Sequence, residues 1–212
     1  MPTFVGHSLV ALSVCAPLQR TPLGKAMSFP CWLILLVIVS LLPDLDVLML
    51  RWLPYSHPLS HRGLGHSLLF ALAAAFCITI SCYLAGVVRG KLLTLFLVWL
   101  VVASVMGSHG LLDALTDGGL GIGLLSPLDL RRYFFPIRPI PVALLSPEAI
   151  LSSYMLHVYS VELALFGPFC LAAWLSSADL SGISLIPTLR WLAAVALFVF
   201  GIATWIVRCQ SI

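Results

Sequence analysis

The chain has 212 residues, of which 61% are hydrophobic and only 9% are charged, and its mean hydropathy is +1.10. A soluble globular domain usually carries about 25% charged residues, so this composition excludes an ordinary soluble domain and indicates a polytopic membrane protein. The net charge of +3 is small and spread along the chain, which argues against a nucleic-acid partner. The six cysteines form no CxxC pair, so neither a disulfide framework nor a thiolate metal site is predicted.

Hydrophobic runs and helix breakers predict an all-α membrane helix bundle of about six segments, which form one integral membrane domain over residues 1–212. The motif-bearing part covers 1–140, and the C-terminal hydrophobic helices cover 150–208. A Gly-, Pro- and Arg-rich stretch follows the fourth segment, and we expect it to fold back over the bundle or to lie at the membrane interface. The predicted segments lie near residues 3–18, 27–43, 64–88, 92–116, 150–176 and 187–208.

Histidine and aspartate side chains lie at the ends of the first four segments. If consecutive segments cross the bilayer in opposite directions, all of these ends lie on the same side of the membrane. Residues scattered without function would be expected on both sides. The sequence therefore predicts one polar site, built from several helix ends at one membrane face. The residues are His7 at the start of the first segment, Asp44 and Asp46 at the end of the second, His61 and His66 at the start of the third, and His109 and Asp113 at the end of the fourth.

The spacing of these residues suits metal coordination. His109 and Asp113 are four residues apart and share one face of a helix. Asp44 and Asp46 follow Pro43, which favours departure from the helix and lets both carboxylates turn inward. Neutral imidazole together with carboxylate suits Zn, Mn or Fe better than Mg or Ca. We predict a divalent metal cofactor, with Zn or Mn favoured and one or two ions bound. The predicted metal ligands are His7, Asp44, Asp46, His61, His66, His109 and Asp113.

Structural explanations exist for the same residues. Polar helix ends commonly lie among lipid headgroups, and a His–Asp hydrogen bond can simply join two helices. Arg131, Arg132 and Arg138 are typical headgroup anchors, with contact to a substrate as the alternative.

Five short motifs follow one another in the first two-thirds of the chain. They are GHS at 6–8, PDLD at 43–46, HRGLGHS at 61–67, HGLLDALTDGG at 109–119 and SPLDLRRYFF at 126–135. This ordered set resembles the YdjM-like family of bacterial inner-membrane proteins, which are described as LexA-regulated, metal-dependent hydrolases. In that family threonine usually precedes the second histidine of the HRG motif, whereas this chain has Gly65 and lacks the hydroxyl. The resemblance implies a multi-pass protein of the bacterial inner (cytoplasmic) membrane, with functional roles for His7, Asp44, Asp46, His61, Arg62, His66, His109 and Asp113.

The predicted function is hydrolysis by a membrane-embedded, metal-dependent enzyme, with a phosphoester or lipid-like substrate. Asp46 or Asp113 is the predicted base, and Arg62 is expected to offset developing negative charge. The expected partners are membrane lipid and a small-molecule or lipid-like substrate. The alternatives are a metal-binding membrane transporter and a non-catalytic membrane factor. Transporters usually place ionisable groups near the bilayer midplane, whereas this cluster is predicted at helix ends, which favours the enzyme.

Overall fold

The computed structural model describes residues 1–177, and within this part of the chain it contains five α-helices and no β-strand. The sixth predicted segment, near 187–208, lies outside the described residues. The all-helical fold class is therefore confirmed for the described part. The helices are α1 (Phe4–Leu18), α2 (Phe29–Leu41), α3 (Leu68–Leu84), α4 (Leu92–Ala114) and α5 (Ser153–Ser177).

Three helical stretches within residues 1–177 are long and apolar enough to cross a membrane, namely Phe29–Arg51, Leu92–Ala114 and Ser153–Ser177. The first of them joins α2 to a 3-10 helix, Leu42–Arg51. The change of helix type coincides with Pro43, which has no N–H to continue the α-helical hydrogen bonds. Leu42 before it keeps helical angles, so the chain does not leave the helix as predicted but tightens into a 3-10 helix that carries Asp44 and Asp46. The helices α1 and α3 are apolar but shorter.

The helix α3 begins at Leu68, four residues later than predicted. Ser67 is its N-cap, and the Ser67 hydroxyl accepts a hydrogen bond from the Phe70 N–H at 3.0 Å. Ahead of the cap the chain turns tightly, and a Cβ atom on Gly63 would lie 2.0 Å from the carbonyl oxygen of Pro58. The HRGLGHS motif is therefore a compact loop that precedes the helix.

Packing brings the polar helix ends together. The helix α4 lies against α2 and α3, while α1 lies between α2 and α5. Trp32, Leu36, Val98 and Val102 are fully buried in the apolar core of this arrangement. The start of α1, the end of α2, the loop before α3 and the end of α4 meet beyond one end of that core, as the alternation of segments predicted.

The stretch after α4 folds back onto the HRGLGHS loop, as predicted. The Gly123 N–H donates to the carbonyl oxygen of Arg62 at 2.8 Å, and the Leu68 N–H donates to that of Leu124 at 3.0 Å. These bonds place the segment 118–147 beside the polar helix ends.

Candidate metal centre

Four buried or partly buried side chains converge where the helix ends meet. Asp44, His66, His109 and Asp113 each offer one ligand atom, and these four atoms lie within 4.8 Å of one another. His109 Nε2 lies 3.1 Å from His66 Nε2 and 3.2 Å from Asp44 Oδ1, while His66 Nε2 lies 3.5 Å from Asp113 Oδ2. Tetrahedral ligands bound at zinc distances are separated by about 3.3 Å, so the observed spacings suit a shared ion.

Two members of the site carry buried polar atoms without hydrogen-bond partners. These atoms are both ring nitrogens of His7 and both carboxylate oxygens of Asp113. His7 Nε2 and Asp113 Oδ1 are 3.4 Å apart, and Asp113 Oδ2 lies 3.2 Å from Arg62 Nε as an ion pair that does not have hydrogen-bond geometry. A buried polar group without a partner costs about 1–3 kcal/mol, and a bound cation would remove that cost. Both the donor chemistry and the unpaired atoms therefore fit a metal ion.

Hydrogen bonds orient both central histidines. The Nδ1 atom of His109 lies 2.7 Å from the carbonyl oxygen of Ser40, and the Nδ1 atom of His66 lies 2.9 Å from Asp46 Oδ2. A carbonyl oxygen can only accept a hydrogen bond, so the proton of neutral His109 is on Nδ1. The lone pair on Nε2 then faces the centre. Metal-binding histidines are usually held in this way by a carbonyl or carboxylate behind the ring.

Asp46 contacts two histidines at once. Its Oδ1 lies 2.7 Å from His61 Nδ1, and its Oδ2 lies 2.9 Å from His66 Nδ1. Asp46, His61 and His66 also form a second group whose ligand atoms lie within 4.8 Å of one another. The YdjM-like family usually has threonine at the position of Gly65. A Cβ atom on Gly65 would lie 3.0 Å from Asp46 Oδ2. The glycine thus leaves room for this carboxylate. The roles predicted for Asp46 as ligand and as base stay predictions.

The surroundings of the loop histidine His66 favour its protonated form. Burial alone would lower the pKa of His66, but its hydrogen bonds to the Asp44 and Asp46 carboxylates outweigh burial and raise the pKa to about 9. The same carboxylates therefore stabilise the positively charged form of His66. The surrounding carboxylates thus create a place that favours a cation.

His7 joins the site from the first turn of α1. Its ring stacks on that of His109, with centroids 3.7 Å apart and planes within 8° of parallel. The four-atom group does not include His7, although its Nε2 approaches Asp113. All seven predicted ligand residues therefore lie in one contiguous cluster, with His7 and His61 on its flanks.

Arg62 is buried, and its guanidinium contacts protein groups. Its Nε lies 3.2 Å from Asp113 Oδ2, while its Nη1 and Nη2 donate to the Gly118 carbonyl and the Thr116 hydroxyl at 2.7 and 2.9 Å. The backbone of Arg62 has a φ of 63°, in the left-handed region, which costs a non-glycine residue about 1–3 kcal/mol. These contacts join Asp113 to the segment after α4. Direct contact between Arg62 and a substrate stays a prediction.

Arg131 and Arg132, which sequence reasoning grouped together, lie in different surroundings. Arg132 donates through Nη2 to the Tyr55 carbonyl at 3.0 Å and through Nη1 to the His61 carbonyl at 3.2 Å. Arg131 is exposed and pairs with Asp129 at 2.7 Å. Side chains of neighbouring residues in an extended chain point to opposite sides. This alternation is the one feature of the sequence that could have separated Arg131 from Arg132. Arg132 therefore holds the HRGLGHS loop, whereas Arg131 faces outward.

The cluster opens to the surface at the end of α2. The side chains of Asp44 and Asp46 are 16% and 11% exposed, while those of His66, His109 and Asp113 are fully buried. Asp44 is therefore the member of the four-atom group that lies nearest the protein surface.

Comparison with known proteins agrees with this architecture. Residues 1–207 match the family model of the YdjM inner membrane protein. Inner membrane protein YbcI of Escherichia coli (strain K12) is 35% identical over 147 residues, which cover 68% of this chain and 78% of that protein. No solved structure matches the chain. Together with the three apolar stretches long enough to span a bilayer, these similarities locate the protein in the bacterial inner membrane. The chain belongs to the YdjM inner membrane protein family.

Proposed function

We propose that the protein is a membrane-embedded, metal-dependent hydrolase that acts on a phosphoester, carried by a lipid-like molecule, at one face of the inner membrane. The observation that carries the proposal is the convergence of Asp44, His66, His109 and Asp113 within 4.8 Å, next to buried polar atoms that lack partners. Zn or Mn is the proposed metal because two imidazoles and two carboxylates form the group.

Asp44, His66, His109 and Asp113 would hold the ion, with His7 beside them. A divalent ion bound there would act as a Lewis acid on the phosphoester and would lower the pKa of water. His66 and His109 are held for this task by Asp46 and by the Ser40 carbonyl behind their rings.

Among the three site carboxylates, Asp44 is best placed to accept a proton from water. Asp46 is occupied by two histidines, and Asp113 is buried against Arg62. Asp44 contacts the histidines through Oδ1, and its side chain is the most exposed of the three. We therefore propose that Oδ2 of Asp44 takes the proton of the attacking water, in preference to the two bases predicted from sequence.

Exposed side chains in the segments that follow α2 and α4 favour a lipid-like substrate. Trp52, which follows the 3-10 helix after α2, is 70% exposed, and Leu128 in the segment after α4 is 82% exposed. Arg51, next to Trp52, and Arg131, close to Leu128 in the sequence, are also exposed. Tryptophan and arginine beside apolar side chains are typical of the headgroup layer of a membrane. A phosphate at that depth would meet positive charge while its apolar part stays among lipids.

The test is turnover by purified, metal-loaded protein on a phosphomonoester, a phosphodiester and a phospholipid. We expect release of product from at least one class, loss of release after chelation, and recovery on addition of Zn or Mn. His109→Ala should abolish turnover, and the exposed-thiol variant Cys77→Ser should match the wild type. Full metal occupancy without turnover on all three classes would contradict the proposal and favour a non-catalytic metal-binding role.

A further inference from the structure

A buried acid of α5 lies against the first turn of α1. Glu162 is fully buried, and its Oε1 accepts a hydrogen bond from the Thr3 N–H at 2.5 Å. Its Oε2 accepts from the Thr3 hydroxyl at 2.5 Å and from the Gly6 N–H at 2.9 Å. Among the described residues, the partners of this carboxylate are therefore the N-cap Thr3 and the Gly6 N–H at the start of α1. Negative charge is favoured at this end of a helix.

The same helical turn carries His7. The His7 N–H donates to the Thr3 carbonyl at 3.3 Å, so the residue that Glu162 holds is also the backbone partner of His7. Gly6, next to His7, has no side chain, and a Cβ atom there would lie 3.1 Å from Glu162 Oε2. One carboxylate therefore binds both Thr3 and Gly6, the residue that accepts from the His7 N–H and the residue that precedes His7.

The position of His7 matters to the cluster. Its ring lies flat on His109 and its Nε2 approaches Asp113, two members of the four-atom group. A rotation of α1 would shift the His7 ring relative to that of His109, because His7 lies on the first turn of α1 and His109 on α4. The described residues of α5 contribute no ligand atom to the cluster, so α5 acts on it through α1.

We propose that Glu162 is a positioning residue of the metal centre, which acts through the N-terminal turn of α1 and His7. The inference rests on the metal centre of the proposed function but not on turnover. It connects α5 to the metal centre, although the five motifs named above all lie before this helix.

The test uses Co²⁺ as a probe of the purified full chain, with affinity and the visible absorption spectrum as readouts. We expect Glu162→Gln to weaken Co²⁺ binding about tenfold and to change the spectrum, since outer partners of metal ligands typically contribute 10–100-fold. Thr3→Val, which removes one donor to the same carboxylate together with the cap acceptor of the Val5 N–H, should act in the same direction and replaces Glu162→Gln if that variant does not fold. Ser160→Ala, an exposed α5 variant bonded only within its own helix, should bind like the wild type.

The decisive comparison is made in a His7→Ala background. If Glu162 acts through His7, Glu162→Gln should change Co²⁺ affinity less than twofold there. Wild-type affinity and spectrum in Glu162→Gln, or a full tenfold effect without His7, would overturn the inference. A wild-type protein that binds no Co²⁺ would instead contradict the metal centre itself, and with it the proposed function.

Discussion

The ring of His109 donates a hydrogen bond from Nδ1 to the carbonyl oxygen of Ser40 at 2.7 Å, across the contact between α4 and α2. The bond fixes the tautomer of His109 and aims Nε2 at the centre. Pro43, three residues after Ser40, has no N–H, so it cannot take this carbonyl in a 3-10 hydrogen bond. The proline of the PDLD motif therefore does not compete with His109 for the Ser40 carbonyl.

Metal binding should depend on the four-atom group and not on the thiols. We expect Asp44→Asn, His66→Ala and His109→Ala each to lose most bound metal, because each removes one of the converging ligand atoms. Elemental analysis of the purified variants measures the loss. Cys77→Ser serves as the control, and undiminished metal in all three site variants would exclude this group as the binding site.

Asp46 should behave differently from Asp44. Its oxygens hold His61 and His66 from behind, so Asp46→Asn should weaken metal affinity about 10–100-fold without abolishing binding. Competition with a chelator of known affinity measures the difference. A complete loss of metal in Asp46→Asn would show that Asp46 is itself a ligand, as the sequence predicted.

Gly110 should be essential for the site, whereas Gly107 on the same helix should tolerate a methyl group. A Cβ atom on Gly110 would lie 2.3 Å from the carbonyl oxygen of His66, so Gly110→Ala should push the loop away and lose metal. A Cβ atom on Gly107 would lie 3.5 Å from the Leu68 side chain, an ordinary contact. Metal content and thermal unfolding of the two variants make the comparison. Equal metal content in both would refute the close approach of α4 to the HRGLGHS loop.

Arg62→Lys should destabilise the protein. A lysine keeps the positive charge but cannot reach Asp113, Thr116 and Gly118 together, so at least one buried acceptor loses its donor, which typically costs about 1–3 kcal/mol. We expect a clear drop in the melting temperature and in any turnover. Arg131→Lys is the control, because Arg131 is exposed and should tolerate lysine. A melting temperature close to that of the wild type for Arg62→Lys would show that the guanidinium contacts contribute little.

The sequence alone determined the parts of this protein that depend on local pattern. Apolar runs gave helices close to their observed bounds, because a bilayer requires long apolar segments whose backbone groups are satisfied internally. Alternation of those segments predicted that His7, Asp44, His66 and His109 share one end of the bundle. The i, i+4 spacing of His109 and Asp113 placed both on one face of α4.

Only the tertiary structure decided which partner each polar residue contacts. The Ser40 carbonyl that orients His109 is a backbone atom, and no residue type in the sequence marks it as a partner. Glu162 and Thr3 are 159 positions apart, so their contact depends on how α1 packs against α5. Arg131 and Arg132 are the same residue type side by side, yet the path of one loop sends one outward and the other onto the HRGLGHS loop. Local pattern locates polar groups along the chain, but their partners are fixed by packing between distant segments.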